Sequence, residues 1–245
     1  MALVDYNDTV AVYFDRDVHG SAVSWLLPYL TRMWRYTIDT YGNGSNLLAA
    51  DRLYSIHHEG RYPGGHPGTV YDASHDYRNV SDVGGWNWTS RQYEVLTHEA
   101  GHIVEDVASG RHGSPAFPLW GDSKWMEFYI YDVYEALGMA EESRQFYHRL
   151  MRTSDPFPAP DTHWFRDWFY PLWSDHGAGV MVRFFNLLGK HFPANGGDGY
   201  APVPRQRCSY RCRDWSGARR RVGLTWVVRV GSWLGVRNAV HRGAA

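Results

Sequence analysis

Residues 9–15 (TVAVYFD) alternate apolar and polar positions, which is the period of a half-buried strand. From Ser21 to about Tyr41, the residues Val23, Leu26, Leu27, Leu30, Met33, Trp34 and Ile38 recur at helical spacing; Pro28 inside that run predicts a late start or a kink. Short strands are expected at about 52–58, 68–73 and 76–81, separated by punctuation such as RYPGGHPG. The next helix, about 90–109, has Thr89 and Gln92 at capping-box spacing before it and Gly110 after it. Val95, Leu96, Ala100, Ile103, Val104 and Val107 form its apolar stripe. Beyond Pro115 and Pro118, Asp122 is placed to cap a second helix that runs to about Leu137 and ends at Gly138. Further helical stretches are expected at about 141–152, 162–170 and 177–190. Short strands followed by a run of helices predict an α+β fold: a mixed-sheet lobe over 1–110, then a mostly helical lobe over 111–200.

Composition adds a third segment. Ten arginines in residues 205–245 stand against one acid, Asp214, so this stretch carries +9 while the whole chain carries −1. Such a tail can bind nucleic acid or an anionic surface, can be a solvated, disordered extension, or can be an out-of-frame translation of a GC-rich gene. Its lack of helical period and of strand alternation favours the last, so nucleic acid is not expected as a partner. No apolar run approaches the ~18 residues that a membrane span needs. The opening residues carry acids where an export signal would be basic, although sequons at Asn7, Asn43, Asn79 and Asn87 fit a secreted protein. The two cysteines, Cys208 and Cys212, rule out a disulfide framework for the body of the chain. Twelve Trp, 17 Tyr and 10 Phe could line a cleft or a sugar-binding surface, or fill a core.

The chemistry-bearing pattern is His98-Glu99-Ala100-Gly101-His102, inside the 90–109 helix. Residues four apart share a helix face with Cβ atoms ~6 Å apart, so both imidazoles can reach one Zn2+ at ~2.0–2.1 Å. Glu99, one position beyond the first ligand, can take a proton from the water at the metal and pass it to a leaving group. A catalytic zinc needs a third protein ligand. The positions where a longer form of the motif would carry Gly and a third His hold Glu105 and Ala108, so a carboxylate from the following helix is expected: Glu127 first, Asp122 as the alternative.

HEAGHIVEDVASG resembles the zinc helix of the gluzincin metallopeptidases, including the thermolysin-like group. That group has an Asp four residues and a Gly eight residues after the second histidine, places that Asp106 and Gly110 fill here. Trp125-Met126-Glu127 is similar to the aminopeptidase-like gluzincins, where a Trp shortly precedes the glutamate ligand. The likeness covers about residues 88–137. It implies a zincin-like fold, zinc on His98, His102 and Glu127, and hydrolysis of a peptide or protein substrate. It also implies an oxyanion donor from the helical lobe, for which Tyr170 and His176 are candidates. The thermolysin-like group has an Asp four residues after its third ligand; here that position is Tyr131, and Asp132 lies about 100° further round the helix. Support of a ligand imidazole would then fall more to Asp106, both acids otherwise being surface charges. His57, His58, His66 and His75 are expected on strands and exposed turns. The rival reading is an aromatic-rich glycan or cell-wall binding protein with a vestigial or structural metal site.

Overall fold

The computed structural model describes residues 1–200 except 20–22, 43–46, 157–159, 193 and 198, and omits the side chains of 118, 119 and 122. The arginine-rich segment 201–245 lies outside the described residues. The described chain is α+β, with a five-stranded mixed sheet and six α-helices. In chain order these are β1 (Ala2–Tyr6), β2 (Val10–Phe14), α1 (Leu26–Tyr41), β3 (Leu53–Glu59), β4 (Gly64–Gly68), β5 (Val80–Gly85), α2 (Tyr93–Val107), α3 (Phe117–Ala136), α4 (Ala140–Leu150), α5 (Tyr170–His176) and α6 (Gly179–His191). A π-helical turn, Phe165–Phe169, leads into α5.

The sheet order is β1-β2-β3-β5-β4. β2, β3 and β5 run parallel at the centre, while the edge strands β1 and β4 pair antiparallel. The central strands β2 and β5 are buried on both faces rather than alternating, Ala11 of β2 being as buried as Val10 and Val12, as parallel strands covered on both sides are. α1 starts late, at Leu26, with Pro28 in its first turn, where a missing N–H costs nothing. α1 packs on β2, α2 on β4 and β5, and α3 on α2. One apolar cluster runs from Val10 to Leu188, joining the sheet to the later helices. No helix among the described residues is long and apolar enough to cross a membrane.

Three local expectations are corrected. The strand expected at 68–73 is instead the end of β4 and a turn, closed by the Asp72 N–H donating to the Thr69 carbonyl at 2.8 Å. The strand expected at 76–81 begins only at Val80, because Asp76 and Tyr77 both take positive φ (53° and 56°) and break extended backbone. The Thr89–Gln92 capping box does not form. Asn87 takes both partners: its Oδ1 accepts from the Thr89 hydroxyl at 2.6 Å and its carbonyl from the Gln92 amide at 2.8 Å. α2 therefore begins at Tyr93 without a side-chain cap.

Candidate metal and catalytic site

α2 turns its apolar stripe inward, with Leu96, Ala100, Ile103, Val104 and Val107 buried, and leaves His98 and His102 half-buried on another face. Their Nε2 atoms lie 3.2 Å apart. A zinc ion 2.0–2.1 Å from each nitrogen, at a tetrahedral angle, requires a separation of about 3.3 Å. The two nitrogens, in hydrogen-bond contact with each other here, are thus spaced as two ligands of one zinc ion would be.

Glu99 is buried, at 4% exposure, against edge strand β4. A Cβ built on Gly65 would stand 2.5 Å from the Glu99 carboxyl carbon and 2.8 Å from its Oε1. Glycine at 65 is thus what admits the Glu99 carboxylate beside the strand. Gly101, inside the motif, has a comparable reason. Mid-helix glycine costs ~1 kcal/mol relative to alanine, but a Cβ here would meet Tyr129 Cδ1 at 3.1 Å and Met126 Cγ at 3.2 Å. The glycine lets α3 approach closely, and its carbonyl accepts from the Trp125 indole at 3.1 Å.

α3 therefore presents Trp125, Met126 and Tyr129 to the motif. By helical spacing position 122 belongs to the same face, being three, four and seven residues before them. It follows Gly121, whose φ of 74° and ψ of −170° break the helix and start its second segment. The side chain of Asp122 lies outside the described residues. Glu127 lies off that face. Both its oxygens accept from Lys124 Nζ at 2.9 Å, and Lys124 also reaches Asp155 at 3.3 Å. Burial pushes the Glu127 carboxyl upward, opposed by Lys124. Glu127, His98 and His102 do not form a set whose ligand atoms all lie within 4.8 Å of one another.

Tyr170 packs in an aromatic cluster, 5.0 Å from Tyr147 and 5.6 Å from Phe165 between ring centroids. His176 is exposed at the C terminus of α5. Asp106 supports no zinc-motif imidazole: its oxygens accept from Thr69 Oγ1 at 2.7 Å and the Gly113 N–H at 2.8 Å, with His112 at 3.5 Å. Asp132 is not a surface charge. It is 2% exposed and accepts from Tyr36, Tyr41 and the Trp173 indole, each at 2.6 Å. His57 and His58 are buried rather than in exposed turns, while His66 is exposed and His75 half-buried beside Asp72. Burial pushes the His57 imidazole down to about 3, with Ser55 at 2.9 Å and Trp88 edge-on. Of the sequons, Asn79 is buried, its amide donating to the Leu47 carbonyl at 2.9 Å, so it is not a surface acceptor in the folded chain.

A second group, at the carboxyl end of the parallel strands, went unread in the sequence. Asp15, Asp17 and His58 offer ligand atoms within 4.8 Å of one another and could hold a metal ion. Asp82 approaches the second nitrogen of His58 at 3.1 Å. Arg61 already answers this charge, standing 2.5 Å from Asp15 and 3.4 Å from His58. The one sequence signal was an Asp-x-Asp directly after a strand, which turns also produce.

A cavity of about 580 Å³ opens beside His102, between the β4 end, the Thr69–His75 turn and the loop after α2. Its walls include Asp72, Glu105, Asp106, Tyr71 and His112. Glu105 is buried and accepts from the Trp120 indole at 2.9 Å. Compared with known protein families, curated proteins and solved structures, the chain matches none of them.

Proposed function

We propose that this chain is a zinc-dependent peptidase built on a zincin-like fold, with His98 and His102 as ligands and Glu99 as general base. The observation that carries it is the 3.2 Å between the two Nε2 atoms. Support comes from the Glu99 carboxyl lying against edge strand β4, along which an extended peptide can add as a further strand. Zinc bound there would polarise a carbonyl oxygen and acidify a water molecule. Glu99 accepts the proton of the attacking water as its oxygen bonds to the carbonyl carbon, and delivers that proton to the nitrogen as the C–N bond breaks.

The third ligand comes from α3. Position 122 shares the face packed on Gly101, whereas Glu127 is held by Lys124, so Asp122 is the stronger candidate. Tyr170 and His176 are not assigned to the reaction. The glycan-binding alternative is the second reading: Trp34, Trp88, Trp120, Trp125, Trp164 and Trp168 serve the core, while Trp86 and Tyr77 are exposed.

The deciding experiment is zinc analysis of the purified chain beside His102→Ala, Asp122→Asn and Glu127→Ala, with peptide hydrolysis measured for Glu99→Gln. Zinc is expected to be lost with His102→Ala and Asp122→Asn and retained with Glu127→Ala. Glu99→Gln should keep the metal and lose hydrolysis. Full zinc in His102→Ala, or full hydrolysis by Glu99→Gln, would end the proposal.

A further inference from the structure

Resting on that peptidase reading, we propose that the cavity beside His102 seats a basic side chain, so that the substrates are peptides with Lys or Arg adjoining the scissile bond. The cavity, at about 580 Å³, is within the ~300–1,000 Å³ range of small-ligand sites. Three acids line it: Asp72, Glu105 and Asp106. Of the lining groups able to carry positive charge, His102 is turned to His98, which leaves His112, stacked on Tyr71 with ring centroids 5.0 Å apart.

Asp72 and Asp106 differ in setting, and each favours a cation. Asp72 accepts from the Ser74 hydroxyl, the Ser74 N–H and His75, and these bonds hold its carboxyl down at about 2. It is therefore charged across any working pH. Asp106 is pushed the other way by burial, against its bonds to Thr69 and Gly113. An arriving ammonium or guanidinium offsets that loss of hydration. Tyr71, Pro67 and Phe117 supply apolar wall for the aliphatic stem of Lys or Arg. A Glu or Asp side chain would meet like charge in the same space.

The test has a binding arm and a cleavage arm. In the first, metal-free Glu99→Gln protein is titrated with fluorescent peptides differing only in Lys, Leu or Glu at one central position. Lys is expected to bind about tenfold tighter than Leu, with Glu weakest. Asp106→Asn, and separately Ala73→Lys on the exposed rim of the cavity, should each bring the Lys:Leu ratio close to one. Two variants guard against an effect of Asp106 on the loop it ties down. In the second arm, zinc-loaded wild type is given a randomised peptide library and the cut sites are read by mass spectrometry. Enrichment of Lys and Arg on one side of the cut supports the proposal. Equal affinity for the three peptides, or cut sites without basic enrichment, overturns it while leaving the peptidase reading intact. A zinc-loaded wild type that cuts nothing overturns the peptidase reading, and this proposal with it.

Discussion

Replacing Asp132 tests whether a buried carboxylate holds α3 in place. Its Oδ2 accepts from two tyrosines of α1, Tyr36 and Tyr41, and its Oδ1 from the Trp173 indole of α5, each at 2.6 Å. With 2% exposure, no water can replace these bonds without opening the core. Asp132→Ala strands three buried donors at once, and by analogy with breaking a buried charged network it should cost ~3–5 kcal/mol. Asp132→Asn keeps an amide oxygen for the tyrosines but turns an NH2 group toward the Trp173 N–H, a loss of ~1–3 kcal/mol. The order Ala worse than Asn worse than wild type is as diagnostic as the sizes. Burial raises the Asp132 carboxyl above its ordinary value, so its ionisation opposes folding. Its contribution is thus most favourable below about pH 4 and declines as pH rises through the folded value; the Asn variant lacks that dependence. Urea unfolding of the metal-free chain and both variants, across pH 4 to 8, measures all of this. An Asp132→Ala protein within ~0.5 kcal/mol of wild type would refute the reasoning.

Gly65→Ala should keep zinc but lower kcat/KM by about a hundredfold, because the new Cβ takes the space of the Glu99 carboxyl; undiminished turnover would show that Glu99 need not sit there. Gly101→Val should loosen zinc binding by forcing α2 and α3 apart at Tyr129 and Met126, read as zinc lost to a chelator at lower concentration than for wild type. His57 makes stability pH-dependent. Its folded value of about 3 lies below the unfolded ~6.5, so the unfolded chain binds the extra proton between them and stability falls as pH drops through that window. Between pH 7 and 5 the loss from this residue is about 2 kcal/mol; His57→Gln should have a flatter pH profile than wild type by that amount, and parallel profiles would contradict the assignment.

The parts of this protein that rest on contacts within a few residues were legible in the sequence. The stripe of α2 and the four-residue spacing of His98 and His102 follow from the helical period alone, and the alternation of 9–15 locates β2. Pro28 foretold the late start of α1, and Gly138, at φ 69°, the end of α3. Tertiary packing decided the rest. β4 reads GGHPG, without alternation or strand-forming residues, and is a strand because β5 pairs with it and α2 covers it. Asn87 outcompeted the helix for Thr89 and Gln92. Asp132 became a core acceptor through residues 41 to 96 positions away. A helical period is a property of the local backbone and is written in the order of residues. Which carboxylate meets which partner depends on how helices distant in sequence lie against one another, and so appears only when they pack.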